Sequence, residues 1–133
     1  MSQLDVEIVR SIYDAFESHD TDTLLHLLDE DIVAVVGDDL PWSGTYHGRE
    51  GFLELLRRID ATIHVNFESD EFIDAGSDVA QVGTGVADVL VSGKHFTFRE
   101  IHIWSLRNGL VVEFRNYSDT TEQRRALGLS TAG

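Results

Sequence analysis

From Ile63 onward the chain abandons helical spacing and begins to alternate. Four segments, Ile63–Ile73, Val79–Val91, His95–Leu106 and Leu110–Ser118, follow one another with breaks at Ala75-Gly-Ser-Asp78, Ser92-Gly-Lys94 and Arg107-Asn-Gly109. Alternation at period two is a strand signal, and Gly or Asn in the breaks supplies the positive φ that tight hairpins require. The second half therefore predicts an antiparallel meander. Its apolar face needs a cover, and only the first half of the chain can provide one.

That half reads as helices. Val6, Val9, Tyr13 and Phe16, widened by Ile8 and Ile12, recur at helical spacing to about Ser18. Asp20 or Thr21 caps a second short helix, Thr23 to Leu28, and Ile32 to Val36 is β-branched and strand-like. A third helix carries Phe52, Leu55, Leu56 and Ile59 on one face, with Arg57 and Arg58 near its negative end. Helices first and a meander afterwards predict one α+β domain over residues 1–133, with a cavity between the layers as the place for function.

Composition narrows what that cavity serves. Ten Lys and Arg stand against 24 Asp and Glu, a formal charge of −14, and no basic stripe exists to hold a polyanion. Nucleic acid and membrane surfaces are thus excluded as expected partners. Zero cysteines remove thiolate chemistry and Cys-type metal sites. MSQLDVEIVR has acids where a signal peptide needs bases, and no apolar run approaches the ~20 residues of a membrane span, so a cytoplasmic location is expected. The six histidines fall on different elements with no H-x-H or H-E-x-x-H spacing. Gly83-Thr-Gly85 lies inside a strand segment with no helix after it, so it is no dinucleotide loop. No metal and no cofactor is expected.

Four stretches carry a family likeness: Ile12-Tyr-Asp-Ala-Phe-Glu-Ser-His-Asp20, Leu40-Pro-Trp-Ser-Gly-Thr-Tyr-His-Gly-Arg-Glu-Gly51, His102-Ile-Trp-Ser-Leu-Arg-Asn-Gly109 and Phe114-Arg-Asn-Tyr-Ser-Asp-Thr120. In this order they resemble the SnoaL-like branch of the nuclear transport factor two and ketosteroid isomerase superfamily. The resemblance covers about residues 5 to 120. It implies a cone-shaped α+β barrel, three N-terminal helices packed on a strongly curved, mostly antiparallel sheet enclosing a pocket. Members include isomerases, polyketide cyclases, hydrolases and non-catalytic modules, so fold alone does not choose the chemistry.

Strand periodicity puts Phe98, Glu100, His102 and Trp104 on one face, and Arg99, Ile101 and Ile103 on the other. Pairing with the last strand depends on the turn. A two-residue Asn108-Gly109 loop pairs Arg107 with Leu110 and sets His102 opposite Arg115. A three-residue loop pairs Leu106 with Leu110, His102 with Phe114 and Glu100 with Asn116. Turn chemistry favours the first reading. The resemblance implies the second, with His102, Phe114 and Asn116 all facing the cavity.

On the second reading the expected catalytic set is His102, Glu100 and Asn116. The expected substrate wall is Ile12, Phe16, Val36, Trp42, Phe98, Trp104, Phe114 and Ser118. A histidine titrating near neutrality moves protons alpha to a carbonyl. Glu100, about 6.6 Å along the strand, tunes it or acts as base itself, and Asn116 anchors a substrate oxygen. Familiar constellations of the superfamily are each incomplete. The positions of the isomerase base, its oxyanion-hole pair and the cyclase aspartate read Val36, Ile12 with His102, and Asn116. Arg99 is followed by Ile101 where an epoxide-hydrolase relay needs an aspartate.

The sequence thus predicts a cofactor-free isomerase- or cyclase-type enzyme acting on a small apolar carbonyl or polyketide-like compound. The alternative is a non-catalytic ligand-binding or dimerisation module. The outer face, with Arg99, Ile101, Ile103, Glu113, Arg115 and Tyr117, predicts a homodimer. Asp119 is expected to end the last strand, and Arg49 and Glu50 to begin the third helix in surface ion pairs.

Overall fold

The computed structural model of the chain describes residues 2–37 and 39–129, with side chains from Leu4 onward. Helix α1 spans Ser2–Ser18 and α2 spans Thr21–His26, and β1 follows at Leu28–Val36. A short β2, Gly44–His47, leads into α3, Gly48–Asp60. The long strands are β3 (Ile63–Ala75), β4 (Asp78–Val89), β5 (His95–Arg107) and β6 (Leu110–Ser118), and α4 closes at Thr120–Ala126.

All six strands form one sheet in the order β2-β1-β6-β5-β4-β3. Every pairing is antiparallel except β1 with β6, which is parallel. The meander of four strands is as the alternation predicts. The sheet is open, with β2 and β3 as edges, rather than a closed barrel. Nor are the three predicted helices a single N-terminal block. The β1–β2 pair intervenes before α3, and α4 follows the last strand, its N-cap being the Asp119 carboxylate bonded to Thr121 N–H. Helix α2 starts earlier than expected because Asp20 accepts from Thr23 N–H, and Leu28 already belongs to β1.

The register of β5 on β6 matches neither sequence reading. Asn108 and Gly109 both have positive φ, 53° and 80°, so the turn is the two-residue kind and Arg107 pairs with Leu110. One residue later Val112 is left over as a bulge, since Leu106 pairs with Val111 but Ser105 with Glu113. The extra residue restores the parity that the short turn had reversed. His102 therefore stands opposite Asn116, and Glu100 opposite Ser118. The predicted face is right and the predicted partners are displaced by two. A second bulge, at Asp70 between Ser69 and Glu71, interrupts β3 on β4. Bulges bend and twist strands, which curls the sheet toward the helices.

The concave face is the core. Along β5, Phe96, Phe98, Glu100, His102, Trp104 and Leu106 are buried, and the alternate residues are half-buried or exposed. Val9, Ile12 and Leu24 from α1 and α2 and Phe52 and Leu55 from α3 cover this face.

Candidate active site

The chemistry-bearing side chains lie in two rows across the concave face. One row runs Val36, Asn116, His102, Gln81 over β1, β6, β5 and β4. The next runs Ser118, Glu100, Gly83, Ser69 over β6, β5, β4 and β3. Glu100, His102 and Gln81 are 2%, 4% and 0% exposed, so three polar side chains share one dry patch.

His102 is held from the helix side. The Tyr13 hydroxyl on α1 accepts the Trp104 indole N–H at 2.9 Å and donates its own proton to His102 Nδ1 at 2.7 Å. A hydroxyl has one proton, so this assignment leaves the imidazole proton on Nε2. Nε2 faces Glu100 Oε1 at 3.5 Å, too long for a good hydrogen bond. Tyr13, Phe67 and Phe114 box the ring in, with centroids 6.0, 5.0 and 5.2 Å away. Burial in this box pushes His102 down to about 3, against a smaller opposing effect of Asn116. The expected near-neutral histidine is thus corrected: it is neutral at physiological pH.

Glu100 takes over that range. Burial pushes its carboxyl up to about 7; nearby Gln81 and Arg99 oppose the rise, and Asp70 adds to it. Neither carboxylate oxygen has a well-formed hydrogen bond. The carboxyl fits because β4 carries glycine opposite it. A Cβ on Gly83 would stand 2.8 Å from Glu100 Oε2 and 2.8 Å from Gln81 Nε2, and one on Gly85 would run into the Phe98 ring. Gly83-Thr-Gly85 is therefore a space-making device for inward side chains on β5.

A cavity of about 450 Å³ opens between α1, α3 and the sheet. Of the expected site residues, Phe16, Trp42, Phe98, His102 and Asn116 line it. Ile12, Val36, Trp104 and Phe114 are packed in the core, outside that lining. Glu100 sits one contact behind His102, and Ser118 accepts from the Gln123 amide. The lining also includes Tyr13, Phe67 and Gln123, which the sequence reading did not place there. Tyr13 is one residue past the expected Ile12, a helix-phase error of 100°. Gln81 left a readable signal: it is the polar member of the inward row Val79, Gln81, Gly83, Gly85.

The SnoaL-like domain family matches residues 9–114. The chain belongs to the SnoaL-like domain family. No curated protein matches it significantly. An NTF2-like protein of unknown function from Burkholderia pseudomallei K96243 shares 29% identity, with a TM-score of 0.88 over 99% of this chain and 100% of that one. A protein with a ketosteroid isomerase-like fold from Catenulispora acidiphila DSM 44928, in complex with trimethylamine, aligns at 20% identity and a TM-score of 0.80, covering 93% and 94%. A proposed polyketide cyclase from Xanthomonas campestris pv. campestris aligns at 20% identity and 0.79, covering 95% and 98%. These likenesses fix the fold of this SnoaL-like domain. Its chemistry rests on its own residues.

Among the described residues no three His, Asp or Glu side chains converge on one point, and no helix is long and apolar enough to cross a membrane. Asp119 ends β6 as expected. Arg49 begins α3, but its guanidinium donates twice to the Leu28 carbonyl, at 3.0 and 2.8 Å, tying α3 to β1. Arg115 pairs with Asp78 and Glu113 on the outer face, away from Glu100.

Proposed function

We propose that the domain is a cofactor-free acid–base enzyme of the isomerase or cyclase type, acting on a small apolar carbonyl compound in the cavity. The observation that carries this reading is the buried pair at the cavity's inner end, Glu100 beside a neutral His102. A group that titrates near 7 is both a competent acid and a competent base at neutral pH. Of the two assignments open in the sequence, this is the one with Glu100 as the base. Glu100 takes the proton alpha to the carbonyl and returns it elsewhere on the skeleton, a step that requires the wall between its carboxyl and the cavity to open. His102 Nε2–H is a neutral donor to the oxygen that becomes enolate, and Asn116 orients that oxygen.

The second reading is a ligand-binding module. What favours it is that Glu100 lies behind the cavity wall, so a ligand fills the pocket without touching the carboxyl. One experiment separates the two. Exchange of the alpha protons of a phenyl-substituted ketone such as phenylacetone for deuterium is followed by NMR, with wild type, Glu100→Gln and His102→Ala. Enzyme chemistry gives saturable exchange with half-maximal rate near pH 7 and at least a 100-fold loss in Glu100→Gln. Saturable binding with exchange at the buffer rate establishes the module.

The domain is further proposed to act as a homodimer through the outer sheet face, where Ile101 and Tyr117 are 42% and 55% exposed between Arg99, Glu113 and Arg115. A solution mass at micromolar concentration equal to one 14.9 kDa chain overturns that assignment.

A further inference from the structure

Resting on the acid–base reading above, we infer that Gln81 is the positioning residue of the pair, holding the Glu100 carboxyl toward His102 in whichever protonation state it adopts. The geometry comes from three strands. Gln81 stands opposite His102 in register and is completely buried. Its Nε2 donates to Ser69 Oγ on β3 at 2.8 Å, which fixes the rotation of the amide. The vacant Cβ position of Gly83 lies 2.8 Å from both Gln81 Nε2 and Glu100 Oε2. The two atoms border the same gap and are at most twice that distance apart.

A primary amide suits this place better than any other uncharged side chain. It has two N–H donors and a carbonyl acceptor. Ser69 uses one N–H and leaves the second available to a carboxylate on Glu100, and Gln81 Oε1 is buried without a partner. That orphan acceptor would otherwise cost free energy, and the O–H of a protonated Glu100 is the donor that suits it. Gln81 can thus bond Glu100 as acid and as base, the charge-assisted bond to the carboxylate being the stronger, which keeps the carboxyl in position while its proton comes and goes. An apolar residue would hold neither form, and a charged one would hold only one.

The other groups acting on Glu100 are accounted for. His102 is neutral, Tyr13 on α1 is buried and its hydroxyl pushed far above its usual range, and Arg99 and Asp70 oppose one another from the outer side. Arg99 and Asp70 also pair with each other at 2.7 Å. Gln81 is then, beside the Nε2–H of His102 at 3.5 Å, an uncharged donor able to favour the carboxylate.

The test is a carbon-13 NMR titration of the Glu100 carboxyl, assigned by its loss in Glu100→Gln. In wild type the Gln81 side-chain amide resonances move with the same midpoint as Glu100, and they stop moving in Glu100→Gln. In Gln81→Met, similar in length and apolar, the Glu100 midpoint rises by a unit or more. A midpoint within 0.3 unit of wild type in folded Gln81→Met overturns the inference. So do Gln81 amide resonances that ignore the Glu100 titration, a readout that needs no substituted core residue. A wild-type Glu100 midpoint near the ordinary 4.5 would instead sink the acid–base reading itself.

Discussion

The two faces of β5 place carboxylates in opposite circumstances. On the outer face Arg99 reaches Asp70 and Thr84 in an open network, with both charged partners more than half exposed. One residue further, on the inner face, Glu100 is almost fully covered and has no charged partner bonded to it. On the surface of α3, Arg57 and Arg58 hold the half-buried Glu54 carboxyl below its usual range. On the inner face, burial holds Glu100 well above that range. The same functional group is thus solvated charge in one place and a neutral-pH acid in the other. Dielectric environment decides which, and the −14 total charge does not.

The comparison breaks most visibly in the core. Trp104→Ala removes the indole that anchors Tyr13 and packs on Phe52 and Phe114, and is expected to cost about 3–5 kcal/mol in chemical denaturation. Ile101→Ala, one of its outward neighbours, is expected to cost the isolated chain under ~1 kcal/mol. Equal losses would mean that the two faces are not differently packed.

Next comes pH. His102 binds its proton less tightly when folded, about 3 against 6.5, so its contribution is complete above 6.5 and is lost as pH falls through 3. Glu100 binds its proton more tightly when folded, about 7 against 4.5, so its contribution is complete below 4.5 and is lost as pH rises through 7. These two slopes oppose one another between 4.5 and 6.5. For this pair, stability should climb from pH 3 to 4.5, level off, and fall above 6.5. Glu100→Gln removes the fall and leaves a climb up to 6.5. His102→Gln removes the climb and leaves a fall from 4.5 to 7, on the order of 3 kcal/mol in full. Urea denaturation at each pH reads these profiles, and unchanged shapes in both variants would contradict the assignment.

Smaller effects sharpen the picture. Gly85→Ala drives a methyl into the Phe98 ring and should cost about 1–3 kcal/mol, against under ~0.5 for the outward neighbour Thr84→Ala. Smaller than the Gly85 effect is that of the Arg99–Asp70 pair. A double-mutant cycle should give under ~1 kcal/mol, diminishing in salt, because both side chains stay in water.

Much of this was legible in the residues. Alternation located β3 to β6 and chose the face carrying Glu100 and His102, while Asn116 joined that face through the family resemblance. Helical spacing located α1 and α3. The missing parts share one cause, since they depend on what happens between elements. The Val112 bulge sets the β5–β6 register, yet nothing in Val111-Val112-Glu113 announces an extra residue. Tyr13 reaches His102 only because α1 packs in one rotational phase. Gly83 and Gly85 are no dinucleotide loop by sequence, and their role is visible only when Glu100 and Phe98 are seen opposite them. Residue type suggested a titrating histidine, and burial moved that property to the neighbouring acid.

The central claim is that this transfer has occurred, and one NMR titration measures it. Nitrogen-15 spectra of His102 are followed with the carbon-13 signal of the Glu100 carboxyl from pH 4.5 to 8.5. The account predicts a His102 that stays neutral throughout, with the proton on Nε2 and a bare Nδ1, while Glu100 titrates near 7. A His102 that gains its proton near 6.5, beside a Glu100 already ionised at pH 5, would contradict it.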